Sequence, residues 1–426
     1  MASLLIRGGR VVSPADKLEG VMDVLAEGAV IQQIAPRIEA RADEVLDASG
    51  QVVAPGLIDL HCHLREPGGE ASETLETGLA AAVAGGFTSV CAMPNTQPVN
   101  DRAEATEAMT AKARGVGLAR LFPIAAVTKG SQGESLTDFR ALVAAGAVAF
   151  SDDGRPVATV ELMHTALDCA RALGIPIIDH CEDPTLSAGG VLSDGPVARR
   201  LGVKGIPSSS EETCLRRDLA LAEATGAPFH AAHLSTAGSV ALVREAARRG
   251  VNVTCEVTPH HLTLTDEAVL RYGTNAKMNP PLRSSEDLAA VRAAIRDGTV
   301  DALATDHAPH AAELKAKPLA EAPFGVTGFE TALAVALTEL VHPGIITLPR
   351  LITLMSTNPA RIIRQRLGRL EVGCPADITI FDANLEWTYR VAESRSKSRN
   401  SPFDGWKFQG AVTATIVGGK IVYRRR

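Results

Sequence analysis

The 426 residues are enough for a large domain and a smaller one, and 46% hydrophobic with 22% charged residues excludes a disordered chain. A net charge of −6 without a long basic run argues against a nucleic-acid-binding protein, and no apolar stretch approaches the roughly 20 residues of a membrane-spanning helix. The seven cysteines form no CxxC pair, which argues against a disulfide framework or a zinc knuckle. The first residues lack a secretory pattern, so we expect a cytoplasmic protein.

Both ends of the chain have the pattern of small antiparallel strands. Short apolar runs separated by Gly, Pro and Asp occur at residues 4–7, 10–12, 29–31, 377–381 and 412–417. The middle of the chain lacks this pattern. We therefore predict one small β-sandwich domain that both termini build together, from residues 1–55 and 366–426.

Residues 56–365 alternate short strand-like runs with Ala- and Leu-rich stretches of helical spacing. The runs lie near residues 57–60, 88–92, 121–127, 147–151, 175–180, 228–233, 251–257 and 301–306. Eight strands that alternate with helices over about 300 residues predict an α/β protein with a (β/α)₈ barrel of the TIM type. The alternative is an open doubly wound sheet, which normally carries a Gly-rich phosphate loop after its first strand. Here the first strand ends in His61-Cys62-His63 instead.

Five of the predicted strands end in side chains that bind metals. His61 and His63 are two residues apart, so they leave the first strand on the same face. The other candidates are Asp153, His180, His233 and Asp306. An isolated His pair is as often a polar strand end or a hydrogen-bonded core residue. The other strand ends favour metal binding, because active sites of such barrels lie at the carboxyl ends of the strands.

At the end of the fourth strand, Asp152 and Asp153 must face opposite ways because adjacent strand side chains alternate. The large residues Val148 and Phe150 are expected to pack under the helices, which places Asp153 on the inner face. Asp153 is therefore the predicted ligand. Asp152 is expected to make a structural hydrogen bond or a turn contact.

His230 and His233 are three residues apart, so in a strand their side chains face opposite sides and only one can enter the site. His233 is the preferred candidate because it lies at the strand end. Cys181, directly after His180, is either a competing metal ligand or a small buried filler. The candidates supply four imidazoles and two carboxylates. That is more than one catalytic Zn²⁺ uses, and it fits two Zn²⁺ ions per chain that share a carboxylate.

Motifs along most of the chain resemble the amidohydrolase superfamily and, within it, the dihydroorotases. In chain order they are PGLIDLHCHLREPG (55–68), MPNT (93–96), DDG (152–154), DHCED (179–183), EVTPHH (256–261), KMNPPLR (277–283), ATDHAPH (304–310), APFG (322–325) and GCPAD (373–377). The resemblance implies a zinc-dependent enzyme that reversibly hydrolyses a cyclic amide. Its substrates would be N-carbamoyl-L-aspartate and L-dihydroorotate, in pyrimidine biosynthesis.

The resemblance also implies roles for individual side chains. One Zn²⁺ would be held by His61, His63, Asp153 and Asp306, and the other by Asp153, His180 and His233. The substrate carboxylate would be held by Arg65, Asn95 and His310, and the ring amides would contact Asn279, Phe324 and Gly325. Asp306 would be the catalytic proton carrier. Family habit implies a homodimer and allows a complex with aspartate carbamoyltransferase, without a nucleic-acid or membrane partner.

Hydantoinases, dihydropyrimidinases and allantoinases are the nearest alternatives. They typically bridge their metals with a carboxylated Lys on the fourth strand, where this chain has residues 150–153, FSDD. A non-catalytic scaffold would be expected to lack metal ligands, and a phosphotriesterase-like reaction fits Arg65 and Asn95 less well than a carboxylate substrate does. The loop between His310 and Phe324 is expected to be a mobile lid, with an ordinary surface loop as the alternative.

Overall fold

The computed structural model describes residues 2–425. Its strands are β1 Ser3–Ser13, β2 Leu18–Glu27, β3 Val30–Ala35, β4 Glu44–Asp47, β5 Val52–Pro55, β6 Leu57–Cys62, β7 Phe87–Ala92, β8 Arg120–Ala125, β9 Ala149–Phe150, β10 Ile177–Asp179, β11 Leu192–Ser193, β12 Gly205–Ile206, β13 Phe229–Ala231, β14 Val253–Val257, β15 Ala302–Leu303, β16 Ile378–Thr388, β17 Lys407–Val417 and β18 Lys420–Arg424.

The α-helices are α1 Leu75–Ala84, α2 Ala103–Val116, α3 Phe139–Ala144, α4 Val160–Leu173, α5 Pro184–Ser187, α6 Pro196–Leu201, α7 Ser208–Thr225, α8 Ala237–Arg248, α9 Ala268–Tyr272, α10 Ser285–Asp297, α11 Ala312–Lys315, α12 Phe329–Ala336, α13 Leu348–Ile352 and α14 Asn358–Ile362. Leu337–Val341 and Thr353–Thr357 are π-helical turns that extend α12 and α13. Short 3₁₀ turns lie at Pro14–Asp16, Lys129–Ser131, Gly273–Ala276 and Val391–Glu393. Within residues 2–425, no helix combines the length and the hydropathy that a bilayer crossing requires.

Eight parallel strands form the barrel, in the order β6-β7-β8-β9-β10-β13-β14-β15. A parallel bridge between Cys62 and His307 brings the last strand back beside the first, and the amide of His63 donates to the carbonyl of His307 at 2.8 Å. Each of the eight predicted strand-like runs overlaps one of these strands. The predicted (β/α)₈ barrel is therefore confirmed.

Local signals start and stop the helices between these strands. The side chains of Thr236 and Ser284 cap α8 and α10 by accepting hydrogen bonds from backbone amides of the first turn. Gly174 and Gly226 end α4 and α7 with left-handed φ angles of 67° and 69°, which glycine adopts without steric cost. These stops return the chain to β10 and β13, whose ends carry candidate ligands.

The barrel interior is filled by one apolar cluster that includes Ile58, Leu60, Ile124 and Ile178, and the cluster continues into α14. Phe150 packs outside it, stacked on Phe139 of α3 with ring centroids 3.8 Å apart, as predicted. The prediction that Val148 also faces the helices is wrong, because Val148 belongs to the interior cluster. Strand β9 begins only at Ala149, so Val148 lies outside the alternating segment.

Strands from both ends of the chain form a second sheet, in the order β18-β17-β16-β5-β1-β2-β3, with β4 paired to β1. This confirms that the two termini build one β unit, while its boundaries at residues 55 and 366 stay a prediction. One segment of the C-terminal part lies away from the sheet. Residues 394–400, between β16 and β17, hydrogen-bond to the loops at the carboxyl ends of β6 and β15. We call this segment the strap.

Candidate active site and metal centre

The six predicted metal ligands meet at the carboxyl ends of the barrel strands, and all are buried. Two groups among them have ligand atoms close enough to hold one ion each. The first is His61, His63 and Asp306, and the second is His61, Asp153 and His233. Sequence positions up to 245 residues apart are therefore brought to one place by the closure of the barrel.

Asp153 lies at the centre of the group. Its Oδ1 atom lies 3.3 Å from His61 Nε2, 3.6 Å from His180 Nδ1 and 4.0 Å from His233 Nε2, and its Oδ2 atom lies 3.6 Å from His63 Nε2. Asp153 is the residue that contacts all four imidazoles, which is the geometry that a carboxylate shared between two ions requires.

Three buried polar atoms here have no hydrogen-bond partner within the described residues: His61 Nε2, Asp153 Oδ1 and His233 Nδ1. An unsatisfied buried polar atom costs about 1–3 kcal/mol, so a set of them in one place indicates a missing ligand. Imidazole and carboxylate donors at this spacing fit a divalent metal such as Zn²⁺.

The outer nitrogen of each of three imidazoles is held by an oxygen acceptor. His61 Nδ1 donates to Glu256 Oε1 at 3.1 Å, His63 Nδ1 donates to Asn95 Oδ1 at 2.9 Å, and His180 Nε2 donates to Glu182 Oε2 at 3.3 Å. The other nitrogen of each ring then faces the carboxylates at the shared centre, and it is the atom that can bind a metal ion when the ring is neutral. Such outer partners fix the tautomer and the orientation of metal-binding imidazoles.

Electrostatics keep the carboxylates in the form that binds metal. Burial opposes ionisation of Asp306, but the hydrogen bond from His63 and the nearby charge of His61 hold its pKa below the ordinary value. Burial likewise opposes ionisation of Asp153, yet His61 and His180 hold its pKa well below the ordinary value. Burial and the neighbouring His180 and His61 lower the pKa of His233, which keeps that imidazole neutral.

A cavity of about 220 Å³ opens above these ligands. It is lined by His63, Arg65, Asn95, Asp153, Gly154, His180, His233, Asn279, Asp306, Ala308, His310, Phe324 and Gly325. Every site residue predicted from the sequence lines it except His61, which is fully buried beneath. Gly154 and Ala308, which belong to two of the motifs, are the lining residues to which the sequence analysis assigned no role.

The Arg65 side chain brings a buried positive charge to one wall of the cavity. Its Nε donates to the carbonyl of Pro309 at 3.1 Å, and its Nη2 lies 3.3 Å from His310 Nε2. Burial lowers the pKa of Arg65 only to about 10, so it remains charged at neutral pH. Burial and the charge of Arg65 lower the pKa of His310 to about 3, and its neutral ring donates from Nε2 to the carbonyl of Phe324 at 2.7 Å.

Asn279 also lines the cavity. Its Nδ2 donates to Glu182 Oε2 at 2.6 Å, while its Oδ1 is buried without a partner among the described residues. Burial opposes ionisation of Glu182, but the hydrogen bond from His180 brings its pKa down to about 2. Asn279 Oδ1 is therefore an acceptor available to a ligand in the cavity.

Backbone strain is concentrated at the site. Arg65, His233 and Asp306 have φ angles of 60°, 31° and 45°, in the left-handed region that side chains other than glycine rarely adopt. Such strain persists only where the surroundings hold the residue in place, and it is common at functional sites.

Asp152 and Cys181 are adjacent in sequence to candidate ligands but do not line the cavity. Asp152 accepts hydrogen bonds from the backbone amide of Thr128, as expected of it. Cys181 faces away from the metal centre, in a buried group with Asp179, Cys214 and Asp218 on the side of helix α7. Cys181 is therefore outside the two ligand groups of the cavity, and its role as a buried filler stays a prediction.

Comparison with known proteins identifies the family. Residues 50–239 match the family model described as Dihydro-orotase-like, and residues 216–423 match that of the Amidohydrolase family. The chain is 48% identical to a dihydroorotase of Geobacter metallireducens, over 99% of this chain and 100% of that one. It is 52% identical to a dihydroorotase of Pelotomaculum thermopropionicum, over 99% of both chains. The chain belongs to the dihydroorotase family.

Solved structures of a hydantoinase and a dihydropyrimidinase share the fold of this chain. An L-hydantoinase from Arthrobacter aurescens superposes with a TM-score of 0.89 and 27% identity, covering 100% of this chain and 96% of that one. A dihydropyrimidinase from Brevibacillus agri superposes with a TM-score of 0.86 and 25% identity, covering 99% and 95%. The resemblance to amidohydrolases and dihydroorotases that the motifs indicated is therefore confirmed.

Proposed function

We propose that this chain is a dihydroorotase that interconverts N-carbamoyl-L-aspartate and L-dihydroorotate in the synthesis of pyrimidines. The observation that carries the proposal is the meeting, in one cavity, of a metal-binding centre with the buried charge of Arg65. Hydrolysis of a cyclic amide that bears a carboxylate requires a metal centre for the ring carbonyl and a positive charge for the carboxylate. Membership of the dihydroorotase family supports the same reaction.

Two Zn²⁺ ions fit the donor set. One would be held by His61, His63, Asp153 and Asp306, and the other by Asp153, His180 and His233. The orphaned atoms of His61, Asp153 and His233 support metal binding at this place. These three side chains form one compact group, and His180 Nδ1 lies 3.6 Å from Asp153 Oδ1. When bound, the ions would lower the pKa of water and polarise the ring carbonyl.

Several side chains that line the cavity would hold the substrate. Arg65 offers a planar fork that matches a carboxylate bidentately. Asn95 uses one amide hydrogen on Asp153, which leaves the other for the same carboxylate, and His310 lies beside them. Asn279 Oδ1 would accept from a ring N–H, and the backbone of Phe324 and Gly325, which also lines the cavity, would contact the ring amides.

Asp306 is the proton carrier in this proposal. It is ionised and lines the cavity, so it can accept the proton of the attacking water. It then delivers this proton to the departing amide nitrogen as the ring C–N bond breaks. In the direction of ring closure, Asp306 takes the proton from the ureido nitrogen while that nitrogen attacks the side-chain carboxyl carbon. It returns this proton to one carboxyl oxygen, which takes up a second proton from solvent and leaves as water when its C–O bond breaks.

The deciding experiment supplies N-carbamoyl-L-aspartate to metal-loaded protein at about pH 6, where ring closure is favoured, and follows the appearance of dihydroorotate. We expect product with the wild type and a kcat lower by about 10²–10⁴ with Asp306→Asn. Hydantoin and dihydrouracil serve as counter-substrates because they lack the carboxylate. Turnover of either ring without turnover of dihydroorotate would replace this proposal with a hydantoinase-like function, which the structural neighbours make the second candidate.

We propose further that the chain acts in the cytoplasm as a homodimer, and that aspartate carbamoyltransferase is a candidate partner. Family resemblance supports both statements. Light scattering of the purified chain, alone and mixed with aspartate carbamoyltransferase, tests the homodimer and the partner. A monomeric mass without change on mixing would contradict both.

A further inference from the structure

The strap docks on the barrel through alternate polar side chains. Ser394, Ser396, Ser398 and Asn400 are buried, whereas the basic residues between them are exposed. The serine hydroxyls donate in turn to Glu330, to Glu73 and, at 2.6 Å, to the carbonyl of Ser72. A segment from the C-terminal part of the chain is thus fixed to the end of the barrel that contains the site.

The last of these side chains, Asn400, is 3% exposed. Both its amide nitrogen and its amide oxygen form hydrogen bonds with two loops of the site. Its Nδ2 donates to the carbonyls of Ala308 and Gly325, both at 3.0 Å, and its Oδ1 accepts from the amide of His310 at 3.1 Å. The first loop carries His310 and the second carries Phe324 and Gly325. Asn400 therefore connects the two groups of predicted substrate contacts.

The carbonyl of Gly325 has a second donor, Lys315 Nζ, at 2.9 Å. Lys315 is 6% exposed, and its Nζ also donates to the carbonyl of Pro323 at 3.0 Å. No acidic side chain in the described chain forms an ion pair with it. Its hydrogen bonds are instead donated to backbone carbonyls at the end of the loop between His310 and Phe324, the predicted lid.

Gly325 is packed closely against Ala308 and His310 of the other loop. Its φ of 127° is outside the range of most side chains, and a Cβ atom there would lie 2.7 Å from the Cβ of Ala308 and 3.1 Å from His310 Nε2. Its amide donates to the carbonyl of Lys277 at 2.9 Å. The two loops are in contact at this point, with Asn400 and Lys315 holding the Gly325 carbonyl.

We infer that Asn400 is a positioning residue for substrate binding, which acts with Lys315 as a clamp on the Gly325 carbonyl and fixes His310 relative to Phe324 and Gly325. The inference rests on the proposed function for its effect on substrate. Groups held before binding lose less conformational freedom when the substrate arrives. An amide suits the position because it supplies two donors and one acceptor, which neither Asp nor Leu can do.

Kinetics of dihydroorotate hydrolysis test the role in binding. For Asn400→Leu and Asn400→Asp we expect KM to rise about tenfold, with a smaller change in kcat and unchanged metal content. Lys315→Met should raise KM in the same direction. The double variant Asn400→Leu/Lys315→Met should lose less than the product of the single effects, because both side chains hold one carbonyl.

Ser394→Ala is the matched control. It removes a buried hydrogen bond of the same strap at Glu330, away from the cavity, and should leave KM unchanged. If Asn400→Leu and Lys315→Met both keep the wild-type KM, or if Ser394→Ala raises KM equally, the inference is wrong. Lys315→Met keeps the test decisive if the Asn400 variants do not fold.

Amide hydrogen exchange tests the clamp without any substrate. Residues 308–310 and 323–327 should exchange faster in Asn400→Leu than in the wild type and in Ser394→Ala, since the His310 amide loses its acceptor. Unchanged exchange would overturn the clamp even in an active dihydroorotase. Faster exchange in a protein that does not turn over dihydroorotate would support the clamp and reject the proposed function.

Discussion

Glu256 accepts a hydrogen bond from His61 Nδ1 across 3.1 Å, and both side chains are fully buried. The second oxygen of Glu256 accepts from His230 Nε2, also at 3.1 Å. Burial opposes ionisation of Glu256, but the hydrogen bonds from His230 and His61 bring its pKa down to about 2. An ionised carboxylate therefore fixes His61 with its Nε2 directed toward Asp153.

This relationship predicts that Glu256→Gln weakens metal binding. The amide cannot accept from both imidazoles with two oxygens, so His61 loses its fixed tautomer, and we expect the dissociation constant for Zn²⁺ to rise about 10–100-fold. Competition with a chelator of known affinity measures it. Glu330→Gln, a buried carboxylate bound to the strap, is the control and should keep wild-type affinity. Equal affinities of wild type and Glu256→Gln would show that this contact is unimportant for the metals.

Arg65→Lys should impair binding of dihydroorotate although it preserves the charge. A lysine ammonium cannot form the paired hydrogen bonds of a guanidinium with a carboxylate, so we expect kcat/KM to fall about tenfold or more, mainly through KM. Steady-state kinetics over a range of dihydroorotate concentrations measure this. Arg283→Lys changes another buried arginine outside the cavity and should leave KM unaltered. A wild-type KM for Arg65→Lys would mean that the substrate carboxylate lies elsewhere.

The barrel and the meeting of the candidate ligands at one end of it were predictable because their signals are local. Each candidate ligand lies within a few residues of the end of an apolar run, so the run, the ligand and the strand end are close in the sequence. The alternation of side chains along a strand correctly predicted that Asp153, and not Asp152, lines the cavity. The same rule wrongly placed Val148 against the helices. Strand β9 contains two residues, too few for the alternation to extend back to that position.

The supporting residues were not predictable in this way. Glu256 and Glu182 act through imidazoles on neighbouring strands, so their importance depends on contacts across the barrel. Asn400 lies 90 residues after His310, in a segment whose sequence resembles a polar loop. A sequence pattern shows which side chains can do chemistry, but the groups that orient them become visible only when distant segments are packed together.

The reaction itself predicts a pH-dependent equilibrium. Hydrolysis of dihydroorotate creates a new carboxylate and releases one proton, so the equilibrium ratio of dihydroorotate to N-carbamoyl-L-aspartate should fall about tenfold for each pH unit. Chromatography of mixtures that have reached the same ratio from both directions measures it. A ratio that is insensitive between about pH 6 and 9 would contradict the assigned reaction.

Lys315 predicts a second pH effect, on stability. Burial, with the positive charge of Lys277, lowers the pKa of Lys315 from 10.5 to about 7. Between these values the folded protein has released a proton that the unfolded chain keeps. The contribution of Lys315 to the free energy of unfolding is therefore complete above about pH 10.5 and is lost as the pH falls toward 7.

The measurement is urea unfolding of the wild type and of Lys315→Met at several pH values. We expect the free energy of unfolding of the wild type, relative to Lys315→Met, to rise by up to about 1.4 kcal/mol per pH unit between about pH 7.5 and 9. Lys420→Met replaces an exposed lysine and should give a difference that does not change with pH. A constant difference for Lys315→Met would mean that the backbone carbonyls around Lys315 keep it charged, and that its pKa in the folded protein is close to that of a free lysine.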